Sequence, residues 1–396
     1  MRGTLPPMSS SRIAIVGGGV GGLAAAAFLH QGGLPCVVYE QASQLREVGA
    51  GVLVAPNAAR LLRRLGVLDL FVKSAVRLEI GWEFRRWQDG TVLSAEDLSS
   101  RCEQLYGEHT YSAHRADLLD AISQAVPAGT VRLGRRITAI SVSGPVATLA
   151  FADGESVEAD VVIGADGIHS VVRAALSAPV PPAYSGLSAF RALVPAQDAP
   201  AFARRPAQVL WLGPDHHLVH YPVRAGALIN LVAMSPARDY TTESWTATAT
   251  VDELLAEFAS WDPRLTALIQ AASTPGRWAL LDRQPLRQWS FGPVTLLGDA
   301  AHPMLPFFAQ GAAQAIEDAA ALARRLAQDR TDPMAALRRY ETDRIPRTTR
   351  IQEISHARAY INHLPDGPDQ RARDAAFATV DPLEANAWIY AHDPAA

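Results

Sequence analysis

A cluster of glycines between an apolar strand and an Ala-rich helix leaves this chain few folds to choose from. Residues 12–16 (RIAIV) form an apolar run of strand length, GGGVGG follows, and LAAAAFLHQGG reads as a helix. Gly17-x-Gly19-x-x-Gly22 leads, 18 residues beyond Gly22, to Glu40 at the end of a second short strand, CVVY. Strand, tight turn, helix and an acid at the tip of the next strand make up a dinucleotide-binding βαβ unit. The first glycine permits the turn, the second lets a pyrophosphate approach the helix N-terminus, and the third allows close packing. Glu40 then accepts from a ribose hydroxyl. The fingerprint alone does not choose between FAD and NAD(P).

Composition narrows the class. With 36 Lys+Arg against 40 Asp+Glu, a net charge of −4 and 48% hydrophobic residues, the chain is neither generally disordered nor a cationic nucleic-acid binder. Its 396 residues suggest two or three domains. The only cysteines, Cys36 and Cys102, supply no disulfide framework, which suits a reducing compartment and a cytoplasmic location. The uncharged stretch Ile13–Leu29 carries five glycines in its middle, unlike a signal segment or a spanning helix, and residues 1–10 read as a loose polar leader. No set of His, Asp, Glu or Cys has metal-ligand spacing, so no metal is expected.

Further along, Ala58 to Leu68 has helical apolar spacing, and 131–166 reads as short strands with a turn at Asp153-Gly154, closing on DVVIG. A helix is expected from Ile168. The stretch 177–277, with Pro-rich connections and alternating segments such as HLVHYPV, reads as an inserted, largely antiparallel domain. TLLGDAAHP then returns to the buried-strand style of the N-terminus. The expected division is a discontinuous nucleotide domain (10–75, 104–176 and 278–330), a substrate domain (76–103 and 177–277) and a helical C-terminal region (331–396). The Arg-rich run RRYETDRIPRTTR is read there as a solvated helix face. Asp299, at the end of a strand, stands where a carboxylate can hold a second polyol, or simply cap a turn. His217 and Tyr221 lie four apart on one strand and share a face, with His220 on the other. They are either pocket residues or half-buried, hydrogen-bonded strand residues. His114, His169 and His302 are expected to be structural.

Four motifs in order resemble the FAD-dependent single-component aromatic hydroxylases, built like 4-hydroxybenzoate hydroxylase. They are GGGVGG with Glu40, HRADL (114–118), GADGIHS (164–170) with Arg173, and GDAAHP (298–303) with Gln310-Gly311-Ala312. The resemblance implies an α/β fold: a Rossmann-like FAD-binding domain, an inserted antiparallel β substrate domain and a C-terminal helical region. It also implies that Arg115 contacts the flavin side of FAD, that Asp299 holds the ribityl chain, and that Asp166-Gly167 serves both FAD and NAD(P)H. Gly49-Ala50-Gly51 matches the family's mobile loop beside the flavin. At Gln310-Gly311-Ala312, free N–H groups of a helix start suit negative charge on the flavin.

Within that family the chain is similar to the 3-hydroxybenzoate 6-hydroxylase, salicylate hydroxylase and 6-hydroxynicotinate 3-monooxygenase group, through Leu105-Tyr106-Gly107, HLVHYP (217–222) and Trp388-Ile389-Tyr390. It departs from it at Leu53, where the hydroxynicotinate enzymes carry histidine, and at Pro306, where the 3-hydroxybenzoate enzymes carry glutamine. The implied activity is NAD(P)H-dependent hydroxylation of a monocyclic hydroxylated aromatic acid through a flavin C4a-hydroperoxide. His217 would accept or relay the phenol proton, with Tyr221 beside it and Tyr106 or a water chain next in line. Expected partners are the aromatic substrate, O2 and NADH or NADPH, without nucleic acid or membrane, and open to a homodimer. No second GxGxxG exists, so pyridine nucleotide has no Rossmann site of its own. The competing readings are the same chemistry on a larger natural-product ring and a flavoprotein that binds FAD without oxygenating.

Overall fold

The computed structural model describes residues 12–45, 51–176, 182–237 and 247–395. Its N-terminal layer is a five-stranded, wholly parallel sheet in the order Val294–Leu296, Val161–Gly164, Ile13–Val16, Cys36–Tyr39, Val131–Arg132. The two central strands, Ile13–Val16 and Val161–Gly164, are buried at every position, as an interior parallel strand must be. Helix Val20–Gln31 returns over this sheet and packs against a second long helix, Gly311–Gln328. Their close approach depends on Gly21, where a Cβ would lie 2.6 Å from Leu297 and 3.2 Å from Ala315. The Asp153-Gly154 turn is present, with Gly154 at φ +86° between antiparallel strands Val146–Phe151 and Ser156–Ala159.

A seven-stranded sheet forms the second layer, ordered Gly276–Asp282, Ala183–Pro195, Leu228–Pro236, His216–Val223, Ala207–Gly213, Ile80–Arg86, Val92–Asp97. It is antiparallel except where Ala207–Gly213 runs parallel to Ile80–Arg86, the seam between two distant stretches of chain. Among the described residues no helix is long and apolar enough to cross a membrane.

Three expectations are corrected here. The helix expected over Ala58–Leu68 is two helices, Pro56–Arg64 and Leu68–Val72, because Gly66 between them takes φ +76°. The helix expected from Ile168 begins at Val171, because Asp166 turns back to cap it: its carboxylate accepts from Ser170 Oγ (2.5 Å) and from the N–H groups of Val171 (2.7 Å) and Val172 (3.2 Å). The Arg-rich run is a solvated face only in part: Arg338, Arg339 and Arg350 are exposed, but the opposite face is buried. Helix Pro333–Ile361 buries Tyr340, Arg344, Thr348 and Ile351, one face at helical spacing, against Gly311–Gln328. Arg344, 1% exposed, donates to Asp318 and Glu317 at 2.7 Å each, and Arg347 donates to Glu317 at 2.7 Å. Burial opposes ionisation of both acids, yet the arginines, with His302 at Asp318, bring each carboxyl down to about 2. Removing one partner from such a buried network costs about 3–5 kcal/mol. Glu317-Asp318 inside an Ala-rich helix was the sequence signal that the arginines were needed inside.

Candidate active site

One cavity of about 820 Å³ runs between the two layers. At the parallel-sheet end it is made of backbone. Gly17 holds φ +103°, and a Cβ there would lie 2.4 Å from the Ala165 carbonyl oxygen, while one on Gly22 would lie 2.0 Å from the Gly17 oxygen. Gly22 therefore closes the turn on itself, and the helix packing expected of it falls to Gly21. Gly19 is the N-cap of helix Val20–Gln31 and makes no side-chain cap bond, so the first N–H groups of that helix are left for a ligand. Glu40 sits at the rim, fixed by Gly18 N–H at 2.6 Å and Ala42 N–H at 2.8 Å, one on each carboxylate oxygen.

Helix Gly311–Gln328 opens onto the same cavity at Gly311 and Ala312, also without a side-chain cap. Gln310, expected beside them, does not line the cavity: its side-chain oxygen turns inward to accept from Asn57 and Gln314, each at 3.1 Å. Arg115 and Asp299 line the cavity between the two helix starts. Arg173 ties the two motif loops together, donating to Ile168 O, Asp299 O (3.3 Å) and Ala300 O (2.7 Å). Asp166 lines the cavity too, but its carboxylate is occupied as a helix cap and burial raises its pKa. Two uncapped helix N-termini and a ribose-height carboxylate around one elongated cavity match the two ends of FAD. Gly17, Gly19, Glu40, Arg115, Asp299, Gly311 and Ala312 would hold it.

At the other end the walls are side chains of the large sheet and the C-terminal region. His217, Val219 and Tyr221 alternate into the cavity from strand His216–Val223, while His220 points away, with both ring nitrogens unpartnered and burial taking its pKa down to about 3. Burial, reinforced by His363 and His216, also holds His217 well below the usual histidine value, so its ring is neutral, and a pKa near 6.5 does not apply. Tyr221 crowds Gly51: a Cβ at 51 would lie 2.6 Å from the tyrosine hydroxyl, and Gly51 N–H donates to Asn230 at 2.8 Å. Glycine at 51 thus permits a close approach; Gly49 and Ala50 lie outside the described residues. Tyr106 does not reach the cavity. Its hydroxyl donates to the Leu383 carbonyl at 2.7 Å and fastens the C-terminal segment. His114 caps its helix by accepting from Ala116 N–H, and His302 is buried against Asp318, both structural as expected.

Three polar residues of this end escaped the sequence reading. Arg191 reaches the cavity from strand Ala183–Pro195 with its guanidinium 4.7 Å over the Trp278 ring, and no carboxylate pairs with it among the described residues. Burial, with Arg115 adding to it, lowers its pKa to about 10 against the pull of Tyr221. A lone cation inside the apolar run AFRALV was its visible mark. Gln208, 4% exposed, faces the cavity from strand Ala207–Gly213, next to the His217 strand. Asn362, 2% exposed with an unpartnered Nδ2, comes from beyond the end of the long C-terminal helix, and nothing local in the sequence marks it.

A parallel βαβ cradle with two open helix N-termini, joined to a pocket on an antiparallel sheet, is the architecture expected of an FAD-dependent flavoprotein hydroxylase. Comparison with known proteins agrees: the family described as FAD binding domain matches residues 10–355, and the chain belongs to it. A 3-amino-4-hydroxybenzoate 2-monooxygenase of Streptomyces platensis is 43% identical over 384 residues, covering 97% of this chain and 96% of its own. A 6-hydroxynicotinate 3-monooxygenase of Pseudomonas fluorescens is 37% identical over 89% of this chain and 92% of its own. Among solved structures, a salicylate hydroxylase substrate complex superposes with a TM-score of 0.81 at 30% identity, covering 98% of this chain and 96% of that one. The chain is an FAD-dependent monooxygenase of the aromatic-hydroxylase kind, which sets aside the non-oxygenating reading.

Proposed function

We propose that this enzyme uses NADH or NADPH and O2 to hydroxylate a monocyclic, already hydroxylated aromatic acid, with 3-amino-4-hydroxybenzoate the first candidate substrate. The observation that carries this reading is one cavity wall on which Arg191, Tyr221 and a neutral His217 face the space beyond the FAD cradle. Arg191 lies over the Trp278 ring at 4.7 Å and has no carboxylate partner among the described residues, and such a desolvated cation favours an anion, which a ring carboxylate supplies. Tyr221 adds a hydroxyl to orient the ring, and Trp82 and Phe307 supply flat apolar walls. When bound, FAD supplies the redox chemistry, taking electrons from the nicotinamide and activating O2.

The protein's own task is to make the ring nucleophilic and keep water out. His217 accepts the proton that the ring's electron-donating substituent gives up as oxygen is transferred. For a hydroxybenzoate attacked ortho or para to its hydroxyl, that substituent is the phenol. At C2 of 3-amino-4-hydroxybenzoate it is the adjacent amino group, because the 4-hydroxyl is meta. Buried free thiols at Cys36 and Cys102 support a cytoplasmic enzyme.

The test is to incubate FAD-loaded protein with NADH or NADPH and a panel of hydroxybenzoates, aminohydroxybenzoates and hydroxynicotinates, following O2 uptake and identifying products. One added oxygen atom per nicotinamide oxidised is expected for the true substrate. Nicotinamide oxidation that yields only H2O2 with every ring acid would refute the reading.

A further inference from the structure

A second histidine holds His217 from behind. His217 Nδ1 lies 2.7 Å from His363 Nε2, with the rings stacked at 4.9 Å between centroids and 27° between planes, and Phe307 closes the edge of both. His363, two residues past helix Pro333–Ile361, is itself fixed. Its carbonyl accepts from Asp215 N–H at 3.0 Å, at the turn leading into the His217 strand, and its other ring nitrogen is turned to the Ala359 backbone one helical turn back. A neutral imidazole has one N–H. With that proton committed to Ala359, His363 Nε2 carries a lone pair and can only accept. His217 must therefore donate through Nδ1 and carry its own lone pair at Nε2, the nitrogen left for the cavity.

We propose that His363 is a positioning residue that locks His217 in the Nδ1–H tautomer, so that an unprotonated Nε2 faces the substrate ring. The inference rests on the reading of His217 as proton acceptor. In the step it serves, the substituent's O–H or N–H bond breaks, its electron pair stays on the ring, and a new N–H bond forms at His217 Nε2. The Nδ1–H remains on His217, and its bond to His363 becomes charge-assisted. A proton handed on to His363 Nε2 would go no further, because its other N–H meets a carbonyl that cannot take one, and burial disfavours charge on that ring. Both rings start neutral: burial, then His216, brings His363 down to about 4, and the same burial acts on His217. His216, the other titratable group acting on the pair, is engaged with the Pro214 carbonyl and Glu257 at 2.9 and 3.0 Å.

The experiment uses FAD-loaded protein carrying [15N]histidine, with His363→Leu, His363→Gln and wild type compared at pH 7. Gln offers an oxygen to His217 and an N–H to Ala359; Leu offers neither. Long-range 1H–15N correlation, assigned by the signals lost in His217→Ala, is expected to show the Nδ1–H tautomer in wild type and in H363Q, and its loss in H363L. Coupling of nicotinamide oxidation to hydroxylation of 3-amino-4-hydroxybenzoate is expected to fall about tenfold in H363L, the scale of one lost hydrogen bond. KM should stay within about twofold and H363Q should recover most of the coupling. An Nε2–H tautomer in wild type, or an unchanged tautomer and coupling in H363L, overturns the inference. Should H363L fail to fold, the wild-type tautomer and H363Q still decide it. If the wild type hydroxylates no ring acid, the proposed function fails while the spectra still test the role of His363.

Discussion

The two ends of the cavity are built on different principles. The cofactor end is largely backbone: glycines at 17 and 19 and two helix starts, joined by the side chains of Glu40, Arg115 and Asp299. The ring end is side chains from strands Ala183–Pro195, Ala207–Gly213 and His216–Val223, with Asn362 brought in from just past the C-terminal helix and His363 behind His217. Backbone recognition tolerates almost no change but asks little of its neighbours. Side-chain recognition is adjustable, and each residue there depends on what stands behind it. One end suits a cofactor that never varies, the other a substrate that differs among relatives.

That contrast predicts a graded set of losses. Gly17→Ala forces a side chain into φ +103° and against the Ala165 carbonyl, so the protein should purify without FAD; yellow, folded protein at full occupancy would show the cradle to be adjustable after all. His217→Ala should leave FAD bound and reducible but lower hydroxylation by about 10²–10⁴-fold, with H2O2 replacing product, as stopped-flow reduction and product assays would show. Because burial depresses the His217 pKa, its base form is present at neutral pH and is lost only as pH falls through that lowered value. Coupling in the wild type should therefore show no acid limb near 6.5, and one that vanished in His217→Ala would mean a hydrated ring. Arg191→Met should weaken binding of the aromatic acid by about 1.5–3 kcal/mol, roughly ten- to a hundredfold, with FAD retention unchanged. Equal weakening for a neutral ester of the same acid would locate the carboxylate elsewhere. Tyr221→Phe is the mildest, costing about 0.5–1.5 kcal/mol, read as a rise in KM with coupling largely kept.

The fingerprint, Glu40, the strand DVVIG and the return strand before Asp299 were all legible along the chain, because each is a local solution to a local problem. A glycine at positive φ, a helix start and a strand two residues away need no distant partner. The shared face of His217 and Tyr221 was legible for the same reason, through the two-residue period of a strand. Tyr106 was misplaced because a tyrosine near a site in sequence says nothing of which way its hydroxyl turns, and here it turns to Leu383. The solvated reading of Arg344 failed because its partners, Glu317 and Asp318, lie on another helix.

From the sequence alone came the nucleotide cradle, the fold class and the strand that carries His217 and Tyr221. Only the tertiary structure decided that no carboxylate among the described residues pairs with Arg191, that burial holds His217 well below the usual histidine value, and that His363 lies behind it 146 residues away. Protonation state and tautomer are set by burial and by the nearest donor or acceptor, and those are properties of packing, fixed only when distant segments close around the same space.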